Sequence, residues 1–188
     1  MRMRKLFSFN MVSLDGYFEG ATKWDLSWHH VDNEFNEFAI VQLNEIGTLL
    51  FGRLTYEGMA SYWSSPEAAR NDPEVAGLMN KIPKMVFSKT LSKAGWNSTR
   101  LVKDNIADEI LNLKQQSEKD MALFGSANLM SSLMRMDLLD EHRVMVNPVV
   151  LGAGTPLFQT KDKLNLKLSR TRTFGNGNVL LCYEPDGK

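Results

Sequence analysis

Three short apolar runs, at positions 48–51, 84–87 and 121–124, each stop at a glycine or a serine. Short and nearly continuous apolar runs are typical of interior strands in a parallel sheet. Gly52 and Gly125 each separate one of these runs from a segment with helical periodicity. Parallel strands need such crossover helices between them. The alternation of strands and helices therefore predicts an α/β fold.

The C-terminal part of the chain has a different pattern. Segments 143–146, 164–172 and 178–183 indicate strands, and positions 175–178 between the last two carry the glycines and asparagines of a hairpin. We therefore predict a mostly parallel central sheet with antiparallel C-terminal edge strands and flanking helices. Because 188 residues suit one hydrophobic core, we expect residues 1–188 to form a single domain.

The N-terminal part begins with a predicted strand over residues 5–12, followed by a long polar and aromatic segment over residues 13–28. A loop of this length inside a compact domain is usually functional. Its Trp24 and Trp28 are candidates for a flat wall beside an aromatic substrate, or alternatively pack onto the first helix. Asp32 is placed to cap that helix.

Composition excludes several classes of protein. The chain has 22 Lys plus Arg and 22 Asp plus Glu, so its formal net charge is zero and no nucleic-acid partner is expected. Cys182 is the only cysteine, which excludes an intrachain disulfide. The sequence contains no apolar run of about 18 residues and no signal-peptide core. We expect a cytoplasmic protein that does not bind membranes.

Several motifs of other families are incomplete in this sequence. The G-x-G patterns at 152–154 and 175–177 lack the third glycine of a Rossmann fingerprint. Adjacent His29 and His30 point to different faces of any regular element, so joint metal binding is not expected. The sequence also has neither a P-loop nor a G-x-S-x-G nucleophile elbow. We predict no metal site.

Two strand-to-helix junctions are candidate phosphate sites. At the first, Gly52 precedes a helix start whose free N–H groups, with the Thr55 hydroxyl and the Arg53 guanidinium, would bind an anion. The second repeats this plan with small side chains that let a pyrophosphate approach the backbone. Its candidate contacts are Gly125, Ser126, Ala127, Asn128 and Leu129.

A third candidate site follows the strand at 84–87. Ser88 and Thr90 place hydroxyls on both sides of the Lys89 ammonium group, which suits a terminal phosphate monoester. The alternative for Lys89 is a solvated lysine at a strand end. Glycines after strands are common, so one such segment decides little. Three of them at the carboxyl ends of neighbouring strands point to a bound ligand.

These segments resemble the dihydrofolate reductase superfamily. The resemblance is closest to the C-terminal reductase domain of the bacterial bifunctional riboflavin-biosynthesis deaminase–reductase and its stand-alone relatives, and it extends from about residue 4 to residue 184. The matching motifs are S-L-D-G at 13–16, G-R-x-T-x-E at 52–57, V-x-S-K-T at 86–90, G-S-x-x-L at 125–129 and P-x-x-x-G-x-G-x-P-L-F at 148–158.

The resemblance implies a dihydrofolate-reductase-like fold and a nicotinamide cofactor. The junctions at Gly52 and Gly125 would hold the pyrophosphate of NADPH, and Ser88, Lys89 and Thr90 would surround its 2′-phosphate. The expected activity is hydride transfer from NADPH to a small heterocyclic substrate, pteridine- or pyrimidine-like, or to a sugar-like one. The alternative is a non-catalytic NADP-binding sensor or interaction protein on the same fold.

The sequence departs from the family where the substrate is expected. Phe124 stands where riboflavin-pathway reductases usually have a glutamate, which argues against their riboflavin intermediate as substrate. Asp15 is a candidate to orient substrate or relay a proton, or alternatively a turn residue before glycine. Asp32 is a candidate catalytic carboxylate as well as a cap. The resemblance also implies a homodimer, with the apolar segment Val149 to Phe158 as a candidate contact.

Overall fold

A computed structural model describes residues 3–116 and 118–186. The strands are β1 (Leu6–Ser13), β2 (Tyr17–Glu19), β3 (Ile46–Gly52), β4 (Lys84–Phe87), β5 (Thr99–Val102), β6 (Asp120–Phe124), β7 (Glu141–Asn147), β8 (Thr155–Pro156), β9 (Leu166–Thr173) and β10 (Val179–Pro185). The helices are α1 (Asn33–Glu45), α2 (Arg53–Trp63), α3 (Pro66–Asn71), α4 (Pro73–Lys81), α5 (Ile106–Lys114) and α6 (Ala127–Arg135).

Eight of the strands form one sheet in the order β5-β4-β3-β6-β1-β7-β10-β9. The six strands from β5 to β7 in this order are parallel. Strand β10 is antiparallel to β7 on one side and to β9 on the other. The predicted α/β fold, with a mostly parallel sheet and antiparallel C-terminal edge strands, is confirmed.

Two features differ from the sequence-based expectation. The long N-terminal loop contains β2, which pairs with β8 in a separate two-stranded sheet. Strands of three and two residues are too short to show periodicity in sequence. Helix α5 ends at Lys114, although the predicted helix runs over 105–118. The polar residues after Lys114 offer no apolar side chain that would extend its buried stripe.

The sheet has a hydrophobic core on each face. On one face α1, α2 and α4 cover Phe7, Phe51 and Phe124. On the other, α5 and α6 cover Leu50 and Leu123. The helices that follow β3 and β6 therefore start from adjacent strands and lie on opposite faces, so that their N-termini meet at the carboxyl edge of the sheet.

Lys84 is an unusual member of the first core, because its side chain is only 1% exposed. Its Nζ donates to the carbonyl oxygens of Ile82 at 2.7 Å, Asn97 at 3.1 Å and Asn80 at 3.2 Å. It also lies 4.5 Å from the centroid of the Trp96 ring. Desolvation lowers the pKa of Lys84 from 10.5 to about 8.

This pKa shift predicts a pH-dependent contribution to stability. Between pH 8 and 10 the unfolded chain keeps the Lys84 proton and the folded chain loses it, so stability rises with pH. We expect the free energy of unfolding of the wild type, relative to Lys84→Met, to rise by up to about 1.4 kcal/mol per pH unit. Urea denaturation measures this difference, with Lys81→Met as the exposed control. A difference that stays constant over this range contradicts the burial of a charged Lys84.

Candidate functional site

The three predicted phosphate segments lie side by side at the carboxyl edge of the sheet. Strands β4, β3 and β6 are consecutive neighbours, and Gly52 at the end of β3 pairs with Phe87 at the end of β4. Leu50 pairs with Leu123 on the other side. The turn at Ser88, the junction at Gly52 and the junction at Gly125 therefore follow adjacent strand ends.

The junctions at Gly52 and Gly125 contact each other directly. The Gly52 N–H donates to Ser126 Oγ at 2.9 Å, and this hydroxyl lies 3.2 Å from the Phe124 carbonyl oxygen, to which it donates. Gly125 and Ser126 both have left-handed backbone angles, with φ of 56° and 61°. A Cβ on Gly125 would lie 3.0 Å from Thr55 Cγ2, a tight contact that adds to the strain of a positive φ, so glycine is favoured here.

The Ser126 hydroxyl has a structural role at this junction. The hydroxyl holds the two junctions together and is buried. Ser126 positions the backbone on which a phosphate would rest. Its neighbours Ala127, Asn128 and Leu129 form the first turn of α6, as predicted.

Both helices at this edge leave their first-turn N–H groups available. Gly52 is the N-cap of α2 and Ser126 is the N-cap of α6, and within the described part of the chain neither side chain caps its helix. Asp32 caps α1 and Ser65 caps α3 with side-chain hydrogen bonds, whereas α4 and α5 also begin without a side-chain cap. Uncapped N–H groups and the positive end of a helix dipole favour an anionic ligand.

Two cations lie at the same edge and both are exposed. Arg53 at the start of α2 donates to Glu57 Oε2 at 3.2 Å, an exposed pair one turn apart. The Lys89 side chain is 82% exposed, and its Nζ lies 3.9 Å from Asp104 Oδ1. Such exposed pairs stabilise a fold little, so both cations are available to a phosphate.

Ser88 closes the turn after β4. Its Oγ accepts hydrogen bonds from the N–H groups of Leu91 at 3.0 Å and Thr90 at 3.2 Å. The exposed Thr90 hydroxyl lies 3.4 Å from Ser88 Oγ. The turn therefore holds Lys89 at its tip, between the two hydroxyl-bearing residues.

Asp15 connects two of the family motifs. Its carboxylate accepts hydrogen bonds from the N–H groups of Gly152 at 2.8 Å and Leu151 at 3.1 Å. A hydrogen bond with the Ser13 side chain, followed by those from Gly152 and Leu151, lowers the pKa of Asp15 to about 2. Gly16 has φ 87° in the turn that follows. The structure thus shows the turn arrangement, and a catalytic role for Asp15 stays a prediction.

Asp32 also has a clear structural role. Its Oδ1 accepts from the Phe35 N–H at 2.9 Å and caps α1, as the sequence predicts. The hydrogen bond satisfies one of the unpaired donors of the first turn. A catalytic role for the same carboxylate stays a prediction.

The floor beside the phosphate segments is aromatic. Phe9 of β1 and Phe124 of β6 have ring centroids 5.5 Å apart, and Phe38 of α1 lies 5.9 Å from Phe9. Phe124 is on the sheet face that α1 and α2 cover. These rings therefore form an apolar, aromatic patch on this face of the sheet, next to the junction at Gly125.

The two tryptophans of the N-terminal loop have different environments. Trp28 is buried, and its Nε1 donates to the Asp25 carbonyl oxygen at 2.9 Å. Its ring packs edge-on against His29, whose pKa is lowered to about 4 by desolvation. Trp24 is 43% exposed and lies against Gly58 of α2. In the sequence, the only signal for this role of Gly58 is that it is a lone glycine inside a helical pattern.

A groove of about 440 Å³ lies on another side of α2, between Tyr56, Ser61, Leu91 and Trp96. It does not include the junctions at Gly52 and Gly125. Over residues 3–116 and 118–186, no three His, Cys, Asp or Glu side chains are grouped as metal ligands. Within those same ranges no helix combines the length and the apolar character needed to cross a bilayer.

The sheet order and the paired helix starts define a dihydrofolate-reductase-like fold. The structure of Enterococcus faecalis dihydrofolate reductase complexed with NADP(H) superimposes with a TM-score of 0.64, at 13% identity, over 97% of this chain and 96% of that one. A protein from Shewanella sp. PV-4, named for riboflavin biosynthesis, has a TM-score of 0.75 at 21% identity, over 97% and 99% of the two chains. At these identities the likeness concerns the fold.

The chain belongs to the RibD C-terminal domain family, whose sequence profile matches residues 4–180. The uncharacterized protein YyaP of Bacillus subtilis is 34% identical over 190 residues, which cover 100% of this chain and 98% of YyaP. The resemblance predicted from the sequence motifs is therefore confirmed at the level of the family.

Proposed function

We propose that the protein is an NADPH-dependent reductase that transfers hydride to a small heterocyclic or sugar-like substrate. The observation that carries this proposal is the contact between Gly52 and Ser126, which brings two uncapped helix starts together. Two converging helix N-termini favour a ligand with more than one phosphate. Membership of the RibD C-terminal domain family supports the same function.

The residues at the carboxyl edge fit a dinucleotide phosphate. The first-turn N–H groups of α2 and α6 would hold the pyrophosphate, and the missing Cβ of Gly125 leaves room for it next to Thr55. Lys89 and Arg53 would bind the 2′-phosphate, since their present partners are exposed and easily exchanged. A cation at this place favours NADPH over NADH.

NADPH would supply the hydride from C4 of its nicotinamide ring. The protein residues would align the two reactants and exclude water from the site. Phe9 and Phe124 provide an apolar surface there and no hydrogen-bond acceptor. This surface favours a flat pteridine- or pyrimidine-like ring over a sugar-like substrate.

A second candidate function is a non-catalytic NADP-binding sensor or interaction protein. The engagement of both candidate carboxylates in structural hydrogen bonds favours it: Asp15 holds the 151–152 backbone and Asp32 caps α1. Titration with NADPH, followed by its fluorescence, tests both functions. If NADPH does not bind at about 50 μM, both functions are rejected. Binding without oxidation across a panel of pteridines, pyrimidines, imines and carbonyls supports the sensor.

We also propose a homodimer that uses the segment from Val149 to Phe158. Val150 and Phe158 expose 66% and 42% of their surface, which is unusual for large apolar side chains in one short segment. Sedimentation velocity of the wild type and of Val150→Asp would test this. A monomeric wild type, or a variant with unchanged association, contradicts the proposed contact.

Replacing Lys89 with alanine should reduce the preference for NADPH over NADH. Loss of one charge-assisted contact to the 2′-phosphate is expected to raise the Kd of NADPH about tenfold and to leave the Kd of NADH unchanged. Fluorescence titration with both nucleotides gives the two constants. The control is Lys81→Ala, since Lys81 is exposed and precedes β4 at the opposite end of that strand. If the ratio of the NADH Kd to the NADPH Kd is unchanged, Lys89 does not contact the 2′-phosphate.

A further inference from the structure

The indole of Trp24 lies in a space that only glycine leaves open on α2. A Cβ built on Gly58 would lie 2.4 Å from Trp24 Cη2 and 2.7 Å from its Cζ3. The edge of the ring therefore rests on the helix backbone. A glycine inside a helix lowers the stability of the helix by about 1 kcal/mol relative to alanine. The contact with Trp24 therefore takes the place of stability that alanine would give to α2.

The backbone of Trp24 is held in a strained conformation. Its φ of 66° lies in the left-handed region, which costs a residue other than glycine on the order of 1 kcal/mol. The Trp24 N–H donates to Glu19 Oε1 at 2.6 Å, and Glu19 Oε2 accepts from Thr155 Oγ1 at 3.3 Å. The loop is thus fixed to β2 and β8 on one side and to α2 on the other.

The order of the strands places this loop next to the proposed site. The loop leaves the end of β1, whereas α2 follows β3, and β6 lies between these two strands in the sheet. The loop therefore links β1 to α2 across the interval that β6 occupies in the sheet, and Gly125 follows β6. Gly58 is also three residues after Thr55, so both share one side of α2, and Thr55 is the residue next to Gly125.

We propose that Trp24 is a specificity-determining residue, with Gly58 as its seat and its exposed indole surface as the stacking platform for a flat heterocyclic substrate. Trp24 stays 43% exposed although two contacts fix its position, the ring against Gly58 and the backbone N–H to Glu19, which is itself held by Thr155. A fixed and exposed indole suits stacking against a planar ring. This inference rests on the proposed function for the identity of the neighbouring cofactor.

Gly58→Ala tests the seat without any ligand. The added methyl displaces the indole, while alanine is the better helix former and keeps α2 folded. Trypsin cleavage after the exposed Lys23 is expected to become at least about fivefold faster, since local opening exposes the bond. Gly77→Ala is the matched control, because Gly77 is also inside a helix and no atom of the described residues lies within 4 Å of its Cβ position. If trypsin cleaves both variants and the wild type at the same rate, Gly58 does not hold the indole in place and this part of the inference is wrong.

Trp24→Ala tests the platform, with pterin as the probe. Pterin is expected to quench the tryptophan fluorescence of the wild type, and its Kd to rise about tenfold in Trp24→Ala, as expected for the loss of one stacking contact. Trp24→Phe should restore part of the affinity, and the NADPH Kd should stay unchanged in both variants. Gly58→Ala should weaken pterin binding in the wild-type background and have no effect in the Trp24→Ala background.

The outcomes separate this inference from the proposed function. If NADPH binds and pterin does not, or if pterin binds Trp24→Ala as tightly as wild type, the platform is wrong and the cofactor site stands. If pterin binding depends on Trp24 and NADPH does not bind, the reductase proposal fails and the platform stands. If Trp24→Ala raises the pterin Kd and the NADPH Kd by the same factor and also lowers Tm, the role of Trp24 is purely structural and the inference is overturned.

Discussion

Gly125→Val is expected to raise the Kd of NADPH by a factor of about 100 or more. The Cβ of any larger residue would lie 3.0 Å from Thr55 Cγ2, and the two methyl groups of valine would extend into the gap between the starts of α2 and α6. This gap is where the pyrophosphate would rest. Loss of about 2.7 kcal/mol of binding free energy corresponds to this factor. Fluorescence titration measures the Kd.

The control for Gly125→Val has to carry the same backbone strain. Gly125 has φ 56°, so valine also lowers the stability of the fold there. Gly152 has φ 72°, and no atom in the described ranges lies within 4 Å of its Cβ position. Gly152→Val should therefore lower Tm and leave NADPH binding intact. A folded Gly125→Val protein with the wild-type Kd would place the cofactor elsewhere.

The positions of the candidate phosphate segments were predictable because their determinants are local. The apolar run of β3, its glycine and the helical pattern of α2 are consecutive in sequence, and the same holds for β6 and α6. Strand order could not be derived from these segments. The general rule that ligands bind at the carboxyl ends of parallel strands was enough to bring them together.

The parts of the site that the sequence does not reveal depend on contacts between distant residues. In sequence, Ser126 is a candidate phosphate contact. Its hydroxyl accepts a hydrogen bond from Gly52, 74 positions away. In sequence, Asp15 is a candidate turn residue or proton relay. Only the hydrogen bonds that its carboxylate accepts from Leu151 and Gly152 show why this carboxylate is fixed. Local periodicity carries no information on such pairs.

The same limit explains the N-terminal loop. Its two tryptophans are equivalent candidates in sequence, yet Trp28 is buried and Trp24 lies on α2. The difference arises from Gly58, 34 positions beyond Trp24, and from the pairing of β2 with β8. Because β8 lies in the motif at 148–158, this C-terminal motif supports the N-terminal loop.

Gly154→Ala is expected to give the largest loss of stability for one added methyl group. A Cβ there would lie 2.2 Å from the Glu19 carbonyl oxygen, and this backbone atom cannot move without separating β2 from β8. We expect the free energy of unfolding to fall by about 3 kcal/mol or more, and Tm by roughly 6–12 °C. Calorimetry measures both quantities.

Gly152→Ala separates the clash at Gly154 from the strain of its backbone. Both glycines have positive φ, but the described structure leaves the Cβ position of Gly152 open, so we expect its alanine variant to lose only about 1 kcal/mol. Because Glu19 holds the Trp24 N–H, Gly154→Ala should also speed trypsin cleavage after Lys23 at temperatures where the core is still folded. Equal stability of the two variants would mean that β2 and β8 separate at little cost, and the loop would then lack the support that fixes its indole on α2.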